Sequence, residues 1–101
     1  KALKHNPDYV QVQENLGYLL AYYYNAKDAK TLLTKALSKH PQRPKLYYFR
    51  ALANYKLGEI DDAKTDITKA YNLNPYDPTI INIYTQMMNN VRIEFQNSQK
   101  K

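Results

Sequence analysis

No cysteine occurs in the 101 residues of this chain, so neither a disulfide framework nor a thiolate metal site can be written, and both reducing and oxidising compartments stay open. Glycine is nearly as scarce. Only Gly17 and Gly58 are present, which excludes a glycine-rich phosphate loop and a Gly-x-Ser-x-Gly nucleophile elbow. Long apolar runs are missing too: the longest nearly unbroken one, LGYLLAYYY from Leu16 to Tyr24, has nine residues, where a membrane-spanning helix needs about 20. No membrane span is expected. Acidic residues are in the minority, 9 against 15 Lys and Arg, and the formal charge of +6 leans towards an acidic partner. Histidine is confined to His5 and His40, each placed for the last turn of a helix, where an imidazolium suits the negative helix end. Metal ligation would need further ligands at short spacing, and the sequence lacks them. Glu59, Asp61 and Asp62 fall at a helix start, where negative charge is favourable without any catalytic role. No metal, cofactor or enzymatic chemistry is expected.

What the chain does hold is a 44% share of hydrophobic residues, enough for one small domain with a core rather than for disorder. It also repeats itself. The heptads KALKHNP at Lys1, KALSKHP at Lys35 and KAYNLNP at Lys69 place Ala2, Ala36 and Ala70, and likewise Pro7, Pro41 and Pro75, at intervals of 34 residues. A fixed period of this size marks stacked supersecondary units that cannot bury their apolar faces alone. The first residue falls inside one copy, from which we expect a segment cut out of a longer array.

Each unit reads as two helices. Val12, Leu16, Leu19, Leu20 and Tyr23 recur at three-and-four spacing and predict a helix from about Pro7 to Tyr24, with Asn25 as the left-handed residue that ends it. Ala26, Ala29, Leu33, Ala36 and Leu37 resume the stripe until HPQRP stops it. The second unit predicts helices from about Pro44 to Leu57 and from about Asp61 to Asn74, separated at Gly58 and closed by NPYDP. Beyond Pro78, the residues Ile80, Tyr84, Met87, Met88, Val91 and Phe95 predict one long last helix reaching the polar end NSQKK. Small residues recur at matching heights, Gly17, Ala29 and Ala36 in one unit and Ala51, Ala63 and Ala70 in the next, so paired helices can approach closely.

This pattern resembles the tetratricopeptide repeat, a 34-residue helix-turn-helix unit. One repeat, residues 10–43, supplies Leu16-Gly17, Leu20, Ala29, Leu33, Ala36 and Pro41; another, residues 44–77, supplies Tyr47, Ala51, Ala63, Ile67, Ala70 and Pro75. Residues 1–9 resemble the tail of a preceding repeat, and residues 78–101 the first helix of a third unit or a terminal capping helix. The resemblance implies an all-α fold: a right-handed superhelix of stacked antiparallel helix pairs, about two full repeats plus a long C-terminal helix. Arg50 and Asn54 depart from the family, standing where it places Leu and an aromatic. Two accounts are open for Arg50: a stem that packs while the guanidinium reaches water, or an ordered ion pair inside the superhelix.

The resemblance further implies a non-catalytic scaffold whose first helices line a concave groove for a partner protein or peptide. On that face stand Gln11, Glu14, Asn15, Tyr18 and Tyr22, then Lys45, Tyr48, Phe49, Leu52, Tyr55 and Lys56, then Asn82, Gln86 and Asn89. Aromatics give contact area at little rotamer cost and Asn or Gln can bond a peptide backbone, so the face suits apolar side chains, with an acidic group beside Lys45 and Lys56. A subset of the family clamps carboxylate tails. Asn15 and Lys45 match two clamp positions, but Glu14, Tyr18 and Phe49 replace the Lys, Asn and Arg that would grip the charge. Self-association, as a homodimer through exposed array ends, is an alternative. Nucleic-acid binding is disfavoured, because Lys27, Lys30, Lys35, Lys39, Lys64 and Lys69 fall on second helices, mixed with Asp28, Asp61, Asp62 and Asp66.

Overall fold

The computed structural model describes residues 8–90, with side chains described from Val10 onward. Five α-helices make up this part: α1 (Asp8–Leu19), α2 (Ala26–Lys39), α3 (Pro44–Lys56), α4 (Ile60–Leu73) and α5 (Pro78–Met88). A π-helical turn, Leu20–Tyr24, continues α1. No strand occurs among the described residues, and the all-α expectation holds. Most of the expected unit at residues 1–9 lies outside the described residues, as do Val91 and Phe95 of the expected long last helix.

The local signals act where elementary chemistry puts them. Pro44 and Pro78 open α3 and α5, positions where a missing N–H costs nothing. The Asp77 carboxylate accepts from the Thr79 and Ile80 amides at 2.9 and 3.3 Å, capping α5. Gly58 adopts φ +84° between α3 and α4, a left-handed conformation that explains a glycine in this turn.

Asn25 departs from expectation. It is extended, at φ −141° and ψ 101°, rather than left-handed. Its Oδ1 instead accepts from the Lys27 and Asp28 amides at 3.1 Å, so this residue starts α2. The preceding helix ends differently, with the Asn25 amide reaching back five residues to the Leu20 carbonyl at 2.8 Å. The last helix also departs: α5 stops at Met88, and Asn90 takes φ 59°. Asparagine tolerates that conformation better than any residue but glycine, so a stretch without Gly or Pro can still contain a stop.

Consecutive helices pack as pairs, α3 against α4 most extensively, with α2 on α3 joining one pair to the next. The core runs through all of them: Leu33, Leu46, Leu52, Ile67, Ile80 and Met87 are fully buried, each worth roughly 1.5–3 kcal/mol relative to exposure. Ala29, Ala36, Ala51, Ala63 and Ala70 are at most 1% exposed, so the recurring small residues do sit between helices. The α1 stripe is different. Val12, Leu16, Leu19 and Tyr23 are exposed, at 58%, 46%, 43% and 49%. Of their counterparts one period on, Leu46 and Ala53 are fully buried on α3, which packs against α2, Arg50 is half-buried, and Leu57, past the end of α3, is 39% exposed. The stripe is a helix-packing face with no described helix on it.

Arg50 settles between its two accounts. Its Nε and Nη2 donate to the two oxygens of Asp66 at 2.7 and 2.8 Å, and Nη1 donates to Thr34 Oγ1 at 3.2 Å. Asn54 Nδ2 adds a bond to Asp66 Oδ2 at 3.0 Å. The ordered ion pair is present, tying α2, α3 and α4 together, and the free snorkelling reading is set aside. Asn54 Oδ1 is sealed without a partner among the described residues, a local cost that the neighbouring network offsets.

Candidate partner-binding face

The first helices of the two pairs, α1 and α3, touch each other, and aromatic rings from both meet there. The Tyr18 centroid lies 5.1 Å from Phe49 and 5.0 Å from Tyr22, and Phe49 lies 4.9 Å from Tyr48. Such tilted and edge-on contacts are the favoured arrangements of ring quadrupoles. A path of aromatic side chains therefore crosses from one repeat unit to the next.

Of the residues expected on this face, Gln11, Asn15, Lys45, Asn82 and Asn89 are exposed, and Tyr18, Tyr22, Tyr55 and Gln86 are half-buried. Gln86 is engaged locally, donating to Asn82 Oδ1 at 3.0 Å, one turn away. Tyr48, Phe49 and Leu52 are buried, at 9%, 8% and 2% exposure, so their rings and methyls belong to the core and only an edge can meet a ligand. Helical spacing shows which residues share a stripe but not how deep the neighbouring helix lies. Glu14 is buried as well, its Oε2 accepting from Arg43 Nε at 2.9 Å. Arg43 escaped sequence reasoning because it sits in the turn before α3, 29 positions away, outside any helical period.

Lys56 is exposed, and its ammonium donates to the Ala21 and Tyr22 carbonyls at 3.1 and 2.8 Å. Those carbonyls lie in the π turn, near a helix end where intrahelical donors run out. Desolvation lowers the Lys56 pKa from its ordinary value. The ammonium is thus held by backbone carbonyls, which fixes where its charge sits without neutralising it.

Burial works the other way on the phenols. Tyr48 is pushed well above 10.0, chiefly by desolvation and then by the neighbouring Tyr18, Tyr22 and Asp77. Tyr18 is raised too, first by burial and then by Tyr22 and Tyr23. Both hydroxyls stay protonated, and able to donate, at neutral pH. Tyr23, not foreseen on this face, stacks on Tyr22 at 5.2 Å and 24°.

Away from this face lie further lysine contacts. Lys30 pairs with Glu59, and the Lys69 ammonium lies 5.9 Å from the centre of the Tyr47 ring. A cleft of about 180 Å³ lined by Tyr55, Ile60, Met87 and Asn90 lies where α3, α4 and α5 meet. Among the described residues no group of three or more His, Asp or Glu could hold a metal ion, and no helix is long and apolar enough to cross a membrane.

Residues 44–77, spanning α3 and α4, match the family model described as tetratricopeptide repeat. Over this stretch the chain is similar to a tetratricopeptide repeat. The matched segment begins at Pro44, which opens α3, and ends at Asp77, which caps α5, so its limits coincide with one period of the internal repeat. Tetratricopeptide repeats are generally protein–protein interaction modules, and typically non-catalytic. No match to a curated protein or to a solved structure was found.

Proposed function

We propose that the chain is a protein-interaction scaffold in which residues 10–43 and the helix from Pro78 extend the tetratricopeptide repeat on either side, stacked as a right-handed superhelix. Its working surface is the concave face of α1 and α3, continued by α5, where a partner protein or peptide binds. The observation that carries this reading is the aromatic path Tyr22–Tyr18–Phe49–Tyr48, which spans two units and keeps Tyr18 and Tyr22 half-exposed. Gln11, Asn15 and Lys45 stand exposed around it. Affinity capture tests it, comparing the unmodified protein with Tyr18→Ala and with Asn15→Ala. The expected result is loss of a shared prey while the circular dichroism spectrum stays helical. Prey retained by both variants would place the working surface elsewhere.

A second reading is supported by the exposed Val12, Leu16, Leu19 and Tyr23 of α1: self-association through this stripe. Sedimentation of the protein and of Leu16→Glu distinguishes it. Self-association predicts a dimer that the substitution converts to monomer, and a monomer at high concentration in both removes the reading.

A further inference from the structure

The chemistry of the partner can be narrowed, on the premise that the α1–α3 face is the binding surface. Three charged residues were expected there, and two are already engaged within the fold: Glu14 by Arg43, Lys56 by two backbone carbonyls. Lys45, exposed in the first turn of α3, is the remaining one. A strongly acidic peptide would therefore find one uncommitted ammonium, at Lys45, and lay its other charges on or beside aromatic rings. What the floor does offer is flat apolar surface from Tyr18 and Tyr22 and a hydroxyl whose ring is fixed in the core. Tyr48 is 9% exposed, and its hydroxyl makes no hydrogen bond to another described residue. A protonated phenol can donate to a ligand's acceptor. Asn15 and Gln11, both exposed, add amide donors at the side.

We propose that this face takes an extended, proline-rich segment of a partner protein, its rings laid on Tyr18 and Tyr22 and one of its carbonyls accepting from the Tyr48 hydroxyl. Proline matches each element. Its ring is apolar and compact, its carbonyl keeps full acceptor strength, and its missing N–H leaves no donor to be satisfied on an aromatic floor. The polyproline helix is also already extended before it binds, so little ordering entropy opposes docking on aromatic surface.

Decaproline, an acidic decapeptide of Glu and Ala, and a Gly-Ser decapeptide are titrated into the 101-residue protein, with the tyrosine ring resonances followed by NMR and affinity by calorimetry. Decaproline is expected to shift the Tyr18 and Tyr22 rings and the Gly-Ser peptide to leave them alone. Tyr48→Phe keeps the ring in the core and removes only the donor, and should weaken decaproline about fivefold to tenfold. Tyr76→Phe, at a residue 87% exposed in the turn between α4 and α5, should bind as the parent does. Unshifted rings at millimolar decaproline, or equal affinity in Tyr48→Phe, would overturn the proposal. An acidic peptide that shifts these rings while decaproline does not also overturns it, yet leaves the α1–α3 face standing as the binding surface. If neither peptide shifts them, the proline-rich partner is excluded and the capture experiment decides on the face itself.

Discussion

Gly17→Ala sets two known effects against each other, and the structure decides the sign. Gly17 lies in the interior of α1, where alanine is the better helix former by about 0.5–1 kcal/mol. Propensity alone therefore predicts stabilisation. A Cβ at this position, however, would lie 2.7 Å from Leu33 Cγ and 3.1 Å from Leu33 Cδ1. Cγ is the branch point of the side chain, so the clash is not relieved by turning a methyl aside. Leu33 is fully buried in the core, where close packing leaves little room to move. Either it leaves its rotamer or α1 and α2 move apart, and overpacking of this kind costs about 1–3 kcal/mol. The net expectation is a loss of roughly 0.5–2 kcal/mol, which for a domain of this size lowers Tm by about 3–10 °C. Thermal and urea unfolding followed by circular dichroism at about 222 nm measure it, with an unchanged urea slope expected because the surface exposed on unfolding is the same. A second arm tests the cause. Leu33→Ala should cost about 2–5 kcal/mol alone, and combining it with Gly17→Ala should cost less than the sum by at least about 0.5 kcal/mol, since the cavity accepts the new methyl. A Tm equal to or above the parent's, or strict additivity, would refute a close approach of these helices at Gly17.

Other outcomes follow from the same geometry. Arg50→Met should cost more than Asp66→Asn, about 3–4 against about 1–2 kcal/mol, because the Asp66 side chain is 6% exposed and stays buried with its charge, whereas the Arg50 side chain, at 23%, can turn to water; denaturant midpoints showing the reverse order would contradict the burial argument. Lys56→Met keeps the stem but removes the donor to Ala21 and Tyr22, so amide exchange at residues 20–25 should quicken, with a global loss of about 1 kcal/mol; unchanged exchange would show the contact to be idle. For pH, the folded pKa values of Tyr48 and Tyr18 lie above the unfolded value of 10.0, so their contribution is intact below pH 10.0 and is lost as pH rises towards the folded values. Urea midpoints should therefore fall above about pH 10, less steeply in Tyr48→Phe, and a parent and variant with the same alkaline slope would argue against a buried phenol. Ala63→Leu, at a fully buried position, should overpack the α3–α4 pair by about 1–3 kcal/mol; an unchanged Tm would count against that pairing.

Much of the fold was legible because its signals are local. Prolines at 44 and 78, Gly58, and alanines recurring every 34 residues act through sterics that neighbours along the chain impose, and helix limits came out within one or two residues for α2, α3 and α4. The misses share another cause. Asn25 and Asn90 carry the same side chain and adopt opposite backbone conformations, because asparagine can either cap a following helix or take a left-handed turn, and packing chooses. On the face proposed for binding, helical spacing was readable, but depth was not. Tyr18 and Tyr48 looked equivalent by spacing, yet one is half-exposed and the other lies in the core, since exposure depends on how closely the partner helix approaches.

By itself, then, the amino-acid order determined that the described residues are helical, with a 34-residue period and small residues set between the helices. Periodicity, turn chemistry and side-chain size are properties of single residues and of their near neighbours, and they carry that much without coordinates. Tertiary structure alone decided which charges remain available. Glu14 meets Arg43 across 29 positions, Arg50 meets Asp66 across 16, and Lys56 reaches the π turn across 34 and 35. Only folding brings such distant groups within hydrogen-bond range.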